Sequence, residues 1–304
     1  MGAIAWRGAR KSRPRSASHG ALSPLAAGAT AEWTTGTLEG VGGTEIFWQA
    51  WRLTAPRASV VLAHGVSEHS GRYGHLAAGL NRRGYSLWAL DHRGHGLSGG
   101  RRVFVERFED FTDDLDSLID LAAEELPGKK PVLFGHSMGG AVAIGYAIRH
   151  PEKIAALALS NPVATIETAP GTVLVGRLLS RVAPRLGVYS VEAHGVSRDP
   201  EEVRKYVEDP LNFHGKIPAR TVAELGDEVA TFPERVAAIT MPVLIMYSTT
   251  DPIVAPAGSE MLAERVGAKD VTLRNWEGLR HELLNEPEKE TVIAQIVDWL
   301  DAHA

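Results

Sequence analysis

The chain has 304 residues, 44% of them hydrophobic and 23% charged, with a formal net charge of −5. That balance fits a globular protein with a sizeable core, no run approaches the roughly 18 apolar residues of a membrane span, and a net acidic chain gives no reason to expect nucleic acid as a partner. Cysteine is absent, which excludes disulfides, thiolate zinc sites and cysteine nucleophiles together.

Residues 1–31 carry Arg7, Arg10, Lys11, Arg13 and Arg15, no acidic residue and little periodicity. Ser23 and Pro24 interrupt the one apolar stretch, so no clear signal peptide emerges. We expect a disordered basic tail on a cytoplasmic protein that meets membranes at most peripherally. Two core parts, 32–162 and 239–304, then flank an insertion at 163–238.

The core opens with a Gly42-Gly43 turn before a strand at Thr44 to Leu53, the mark of an antiparallel hairpin. Short apolar runs follow in SVVLAHG, YSLWALD, KPVLFG, IAALALS, PVLIMYS and DVTLRNW, most of them separated by helical patterns. Phe108, Phe111, Leu115, Leu118, Ile119, Ala122 and Leu126 recur every three or four residues, with Asp113, Asp114 and Asp116 on the opposite face, and Pro127-Gly128 ends that helix. Apolar strands alternating with helices predict an α/β fold, a mostly parallel twisted sheet covered by helices on both faces.

Between the strands ending near Ser160 and starting near Met241 no convincing strand is visible. The stretch is too long for a loop and predicts a helical lid. Within it GTVLVGRLLSRVAPRLG places Arg177, Arg181 and Arg185 every four residues beside Leu174, Leu178, Val182 and Leu186. Such a basic amphipathic helix either lies against anionic lipid headgroups or admits an acyl chain, or it packs on its own domain with its arginines in water.

Chemistry concentrates around LFGHSMGG. The G-H-S-M-G stretch follows an apolar strand and opens a helix expected over Ala141 to Arg149, the context in which G-x-S-x-G forms a sharp turn that projects a serine from the sheet edge. Gly135 and Gly139 are expected there for want of a Cβ. Ser137 then sits at a helix N-terminus, whose dipole and Met138 N–H favour negative charge. In an α/β-hydrolase the acid and the histidine follow, each after a later strand. Asp251 follows PVLIMYSTT, and of twelve histidines His281 alone lies beyond the last expected strand and before the last helix. The expected roles are Ser137 as nucleophile, His281 as base and Asp251 as its orienting carboxylate. The second oxyanion donor is expected after SVVLAHG, at the Val66 N–H.

Other constellations carry less. H-E-L-L-N begins like a zinc motif but has Asn285 where the second histidine would stand. Asp91, His92 and His95 sit in a glycine-punctuated loop, where hydrogen bonding within the loop is the expected role. No phosphate-cradling or dinucleotide-binding glycine pattern is present.

HGVSEHSGRY (64–73), DHRGHGLSGG (91–100), GHSMGG (135–140), SRDPEEVRKYVEDPL (197–211) and WEGLRHELLNEPE (276–288) together resemble the monoacylglycerol lipase family, over about residues 40 to 300. The resemblance implies cofactor-free hydrolysis of a monoacylglycerol to glycerol and a fatty acid in a pocket under a mobile lid. It supports Ser137, Asp251, His281 and the N–H groups of Val66 and Met138. Ten buried methylenes at about 0.8 kcal/mol each outweigh the ~1 kcal/mol of a hydrogen bond to glycerol, so affinity would reside in the acyl chain. A lysophospholipase or broad carboxylesterase would use the same triad, and a silent ligand receptor the same fold.

Overall fold

The computed structural model describes residues 31–166 and 171–304. The expected tail, apart from Ala31, lies outside them. Strands β1 (Glu32–Glu39) and β2 (Glu45–Arg52) form the antiparallel hairpin, and Gly42 and Gly43 turn between them at φ +70° and +76°, a region that suits glycine. β3 (Ala58–Ala63), α1 (Gly74–Arg82) and β4 (Tyr85–Leu90) follow, then α2 (Glu109–Glu125), β5 (Val132–His136), α3 (Met138–Arg149) and β6 (Ala156–Ser160). The segment after β6 contributes α4 (Thr172–Val182), β7 (Gly187–Tyr189), α5 (Pro200–Glu208), β8 (Ile217–Pro218), α6 (Ala219–Val229) and α7 (Phe232–Arg235). β9 (Val243–Tyr247), α8 (Ala257–Arg265), β10 (Val271–Asn275) and α9 (Lys289–His303) complete the core.

The sheet runs β1-β2-β4-β3-β5-β6-β9-β10. β1, β2 and β4 pair antiparallel and every later pair is parallel. β3 to β6 and β9 are buried along almost their whole length, which is why they read as unbroken apolar runs rather than alternating ones. One face packs Phe111, Leu115 and Ile119 of α2 with Val142 and Tyr146 of α3; the other packs Leu76 and Leu80 of α1 with Ile293 and Ile296 of α9. This is the expected α/β-hydrolase architecture. Because the chain moves from β3 out to β4 and then back past β3 to β5, the carboxyl ends of β3 and β5 border a crevice of the kind in which open sheets bind ligands.

Four local expectations need correction. β7 and β8 form a two-stranded antiparallel sheet inside the segment that shows no strand in the sequence. The helix expected over 171–187 ends at Val182, because Pro184 two residues on lacks the N–H a further turn needs. Arg185 and Leu186 therefore leave the helix, and the Leu174, Leu178 and Val182 stripe faces solvent at 74, 59 and 69% exposure. Asp114, expected on the solvated face of α2, is buried because Arg93 forks onto it at 2.7 and 2.8 Å. Finally, α3 begins at Met138, directly after the serine, rather than at Ala141.

Candidate active site

β5 delivers its last residue, His136, to the carboxyl edge of the sheet and α3 starts two residues later. The chain reverses in one step, and Ser137 absorbs it with φ +55° and ψ −122°, a conformation costing a non-glycine residue about 1–3 kcal/mol. Its neighbours show why the turn is glycine-rich. A Cβ on Gly135 would stand 2.6 Å from the Gly139 carbonyl oxygen, and one on Gly139 would stand 2.1 Å from that of Ala63. The strained residue is pinned on both sides: Ser137 N–H donates to the Ser160 carbonyl at 3.1 Å, while its own carbonyl accepts from Gly140, Ala141 and Val163.

The three residues singled out in the sequence meet at this edge. His281, on the loop after β10, sets Nε2 at 2.8 Å from Ser137 Oγ. Its Nδ1 lies 2.7 Å from Asp251 Oδ2, and Asp251 Oδ1 accepts the Ile253 and Val254 N–H groups at 2.8 and 3.2 Å, which fixes the carboxylate. With Asp251 accepting at Nδ1, the neutral ring carries its proton there and presents a lone pair to the serine hydroxyl. Burial alone would lower the imidazole's pKa, but the charge and hydrogen bond of Asp251, helped by Glu282 and Glu68, raise it above the ordinary 6.5.

Val66 and Met138 line the same cavity as Ser137. Among the described residues neither N–H has a protein acceptor, and the first intrahelical bonds of α3 are those of Gly140 and Ala141 to Ser137. Both amides are thus free to bind a developing oxyanion.

A buried charge network went unread in the sequence. Glu68 Oε1 accepts from Gly65 N–H and Tyr73 Oη, both at 2.7 Å, and Oε2 accepts from Arg72 at 2.8 Å. Arg72 also forks onto Glu282, the residue after His281, at 2.6 and 2.7 Å. Burial would raise the Glu68 carboxyl, yet Arg72, two histidines and the Tyr73 hydroxyl bring it down to about 2. The network ties the Gly65-Val66 turn to the His281 loop across the cavity. An acid and an arginine four residues apart were the available signal, but nothing local marks a partner 210 positions away.

In the Asp91 loop, Asp91 accepts from Ser70 and Leu97, and His95 Nδ1 contacts the Arg93 carbonyl. His92 takes part through its main chain, its N–H donating to His64 Nε2 at 2.9 Å and its carbonyl accepting from His95 N–H at 2.8 Å, whereas neither ring nitrogen has a partner among the described residues and the ring packs edge-on to Phe111.

The cavity over Ser137 measures about 330 Å³, within the roughly 300–1,000 Å³ usual for small-molecule sites. Its wall is mostly aliphatic, with Val163, Val191, Ile217, Val222, Leu225 and Val254 contributed largely by the segment between β6 and β9. Of its polar members, Glu68, Tyr206 and Glu282 gather around Arg72, whose guanidinium lies 5.0 Å from the centre of the Tyr206 ring.

Comparison with known proteins agrees with this geometry. The family model described as serine aminopeptidase, S33, matches residues 54–288. Over 267 residues the chain is 40% identical to the monoacylglycerol lipase of Mycolicibacterium smegmatis, covering 87% of this chain and 95% of that one. The chain belongs to the monoacylglycerol lipase family. The human monoglyceride lipase is 32% identical over 264 residues, covering 85% of this chain and 87% of its own. The crystal structure of the Paleococcus ferrophilus monoacylglycerol lipase superposes with a TM-score of 0.78 at 36% identity, over 86% of this chain and all of that one.

Proposed function

We propose that the protein hydrolyses monoacylglycerols to glycerol and a free fatty acid through an acyl-enzyme on Ser137. The observation that carries this reading is the continuous Ser137–His281–Asp251 hydrogen-bonded chain opening onto an aliphatic cavity, in a chain 40% identical to a protein named monoacylglycerol lipase. Ser137 Oγ attacks the ester carbonyl as His281 Nε2 takes its proton, and Asp251 stabilises the resulting imidazolium. The carbonyl oxygen, now negative, is received by the Val66 and Met138 N–H groups, each such donor supplying roughly 3–4 kcal/mol in the transition state. Collapse breaks the bond to glycerol, which leaves with the proton from His281. Water then attacks the acyl-enzyme, His281 again accepts and returns a proton, and the fatty acid departs.

The acyl chain would lie along the aliphatic wall, and the glycerol hydroxyls toward Glu68, Tyr206 and Glu282. Residues 163–238 would serve as the lid over this cavity. No helix among the described residues is long and apolar enough to cross a membrane. A transient surface contact, made by a cytoplasmic protein, fits the outward stripe of Leu174, Leu178 and Val182 on α4 with Leu186 beyond it, all at least half exposed. Of the nearby cations Arg177 is engaged by Asp227 at 2.7 Å, while Arg181 and Arg185 form no ion pair among the described residues and remain to meet anionic headgroups.

Turnover of a monoacylglycerol, a lysophospholipid and a short nitrophenyl ester tests the substrate assignment. We expect the highest kcat/KM on the monoacylglycerol; preference for either of the others would reassign the substrate while leaving the chemistry.

A further inference from the structure

The triad is assembled from three loops, after β5, β9 and β10, and one side chain touches the last two from beside the first. Asn161 follows β6, is 2% exposed, and has φ +40°. Its Nδ2 donates to the His281 carbonyl at 2.7 Å and, more weakly, to that of Arg280 at 3.4 Å. Its Oδ1 accepts the Ser248 N–H at 2.9 Å, and the Ser248 carbonyl in turn accepts the Asp251 N–H at 3.3 Å. Its backbone N–H donates to Met246 of β9 at 2.8 Å, and the preceding carbonyl, of Ser160, receives the Ser137 N–H. The orientation of the amide follows from its partners: only oxygen can accept from Ser248, and only the NH₂ can donate to the carbonyls.

The geometry points to Asn161 as a positioning residue for the His281–Asp251 pair, holding the histidine loop and the aspartate loop at a fixed separation beside Ser137. The inference rests on the triad reading above. Asn161 is absent from the cavity wall, so it acts through the main chain of His281 and Ser248 rather than on substrate. Its backbone conformation agrees with this, since asparagine is among the few non-glycine residues that accept a left-handed φ. Glycine would take the same backbone without strain but would supply no amide. Loss of the side chain would leave a buried carbonyl and a buried N–H without partners on the two loops whose spacing sets the Ser137–His281 contact.

The consequence reaches titration as well as rate. The His281 ring faces Asp251, the His136 ring at a centroid distance of 4.8 Å, and the charges of Glu282 and Glu68. Asp251 supplies the strongest support for the charged ring among these. Slack between the loops weakens that support first, so the acidic limb of the pH profile moves to lower pH.

The test compares Asn161→Gly, Asn161→Ala and Asn161→Asp with the wild type on a nitrophenyl ester, with active sites titrated by a fluorophosphonate so that kcat refers to folded enzyme. The aspartate variant keeps the acceptor for Ser248 but sets a carboxylate oxygen against the His281 carbonyl. Misplacement of about 1 Å costs up to about 10²-fold, so we expect kcat to fall by roughly 10- to 100-fold in all three variants, with KM little changed and the acidic inflection lowered. A glycine or aspartate variant with wild-type kcat and inflection overturns the inference, as does a loss of rate accounted for entirely by fewer titratable sites. A wild-type protein that neither turns over the ester nor takes the label would instead overturn the triad reading.

Discussion

Arg72 lays its two terminal nitrogens 2.6 and 2.7 Å from the two carboxylate oxygens of Glu282, the neighbour of the proposed base His281. With Glu68 on the same guanidinium at 2.8 Å, two buried acids depend on one cation. Breaking a buried pair from one side typically costs about 3–5 kcal/mol, because the partner charge stays buried without compensation. We expect Arg72→Ala to lower unfolding stability in urea by about that amount. Arg72→Met combined with Glu68→Gln and Glu282→Gln should recover a large part of it. A single Arg72→Ala variant within about 1 kcal/mol of wild type would contradict the role given to this network.

The raised pKa of His281 makes activity and stability run in opposite directions with pH. Catalysis needs the neutral ring, so kcat/KM should rise as pH climbs through an inflection above 6.5. The folded protein binds the ring's proton more tightly than the unfolded chain does. This stabilising contribution is therefore fully present below 6.5 and is lost as pH rises through the folded value. Asp251→Asn removes the largest source of the upward shift and should move the inflection down while lowering kcat by on the order of 10⁴. A pH–rate profile of this variant that keeps the wild-type inflection would show that Asp251 does not set it.

The outward stripe on α4 should matter only at an interface. Leu174→Asp with Leu178→Asp should reduce retention on anionic vesicles and hydrolysis of vesicle-borne monoacylglycerol, leaving turnover of a water-soluble short ester unchanged. Arg181→Glu with Arg185→Glu should weaken retention in a salt-dependent way. Equal vesicle binding by wild type and the leucine variant in a flotation assay would rule the stripe out as the contact surface.

What was legible in the sequence follows from the range of each signal. The turn at Ser137 reads locally, because a strand period, two glycines and a helix period adjoin within about fifteen positions. Asp251 and His281 read from chain order, since the loops after successive parallel strands share one edge of the sheet. β7 and β8, three and two residues long, are too short to show alternation. The apolar period continues beyond Val182 to Leu186 in the sequence although Pro184 has already ended the helix. Asp114 looked solvated because a pattern assigns faces but does not report that Arg93 reaches into the core to meet it. Asn161 and the Glu68–Arg72–Glu282 network are contacts between distant segments, and no local spacing announces them.

The most direct measurement is release of fatty acid from a monoacylglycerol by the wild type and by Ser137→Ala. With Ser137 as the nucleophile, the variant should fold normally and lose turnover by on the order of 10⁶. Retention of turnover within about tenfold of wild type, a difference of only about 1.4 kcal/mol in activation free energy, would contradict an acyl-enzyme at this serine.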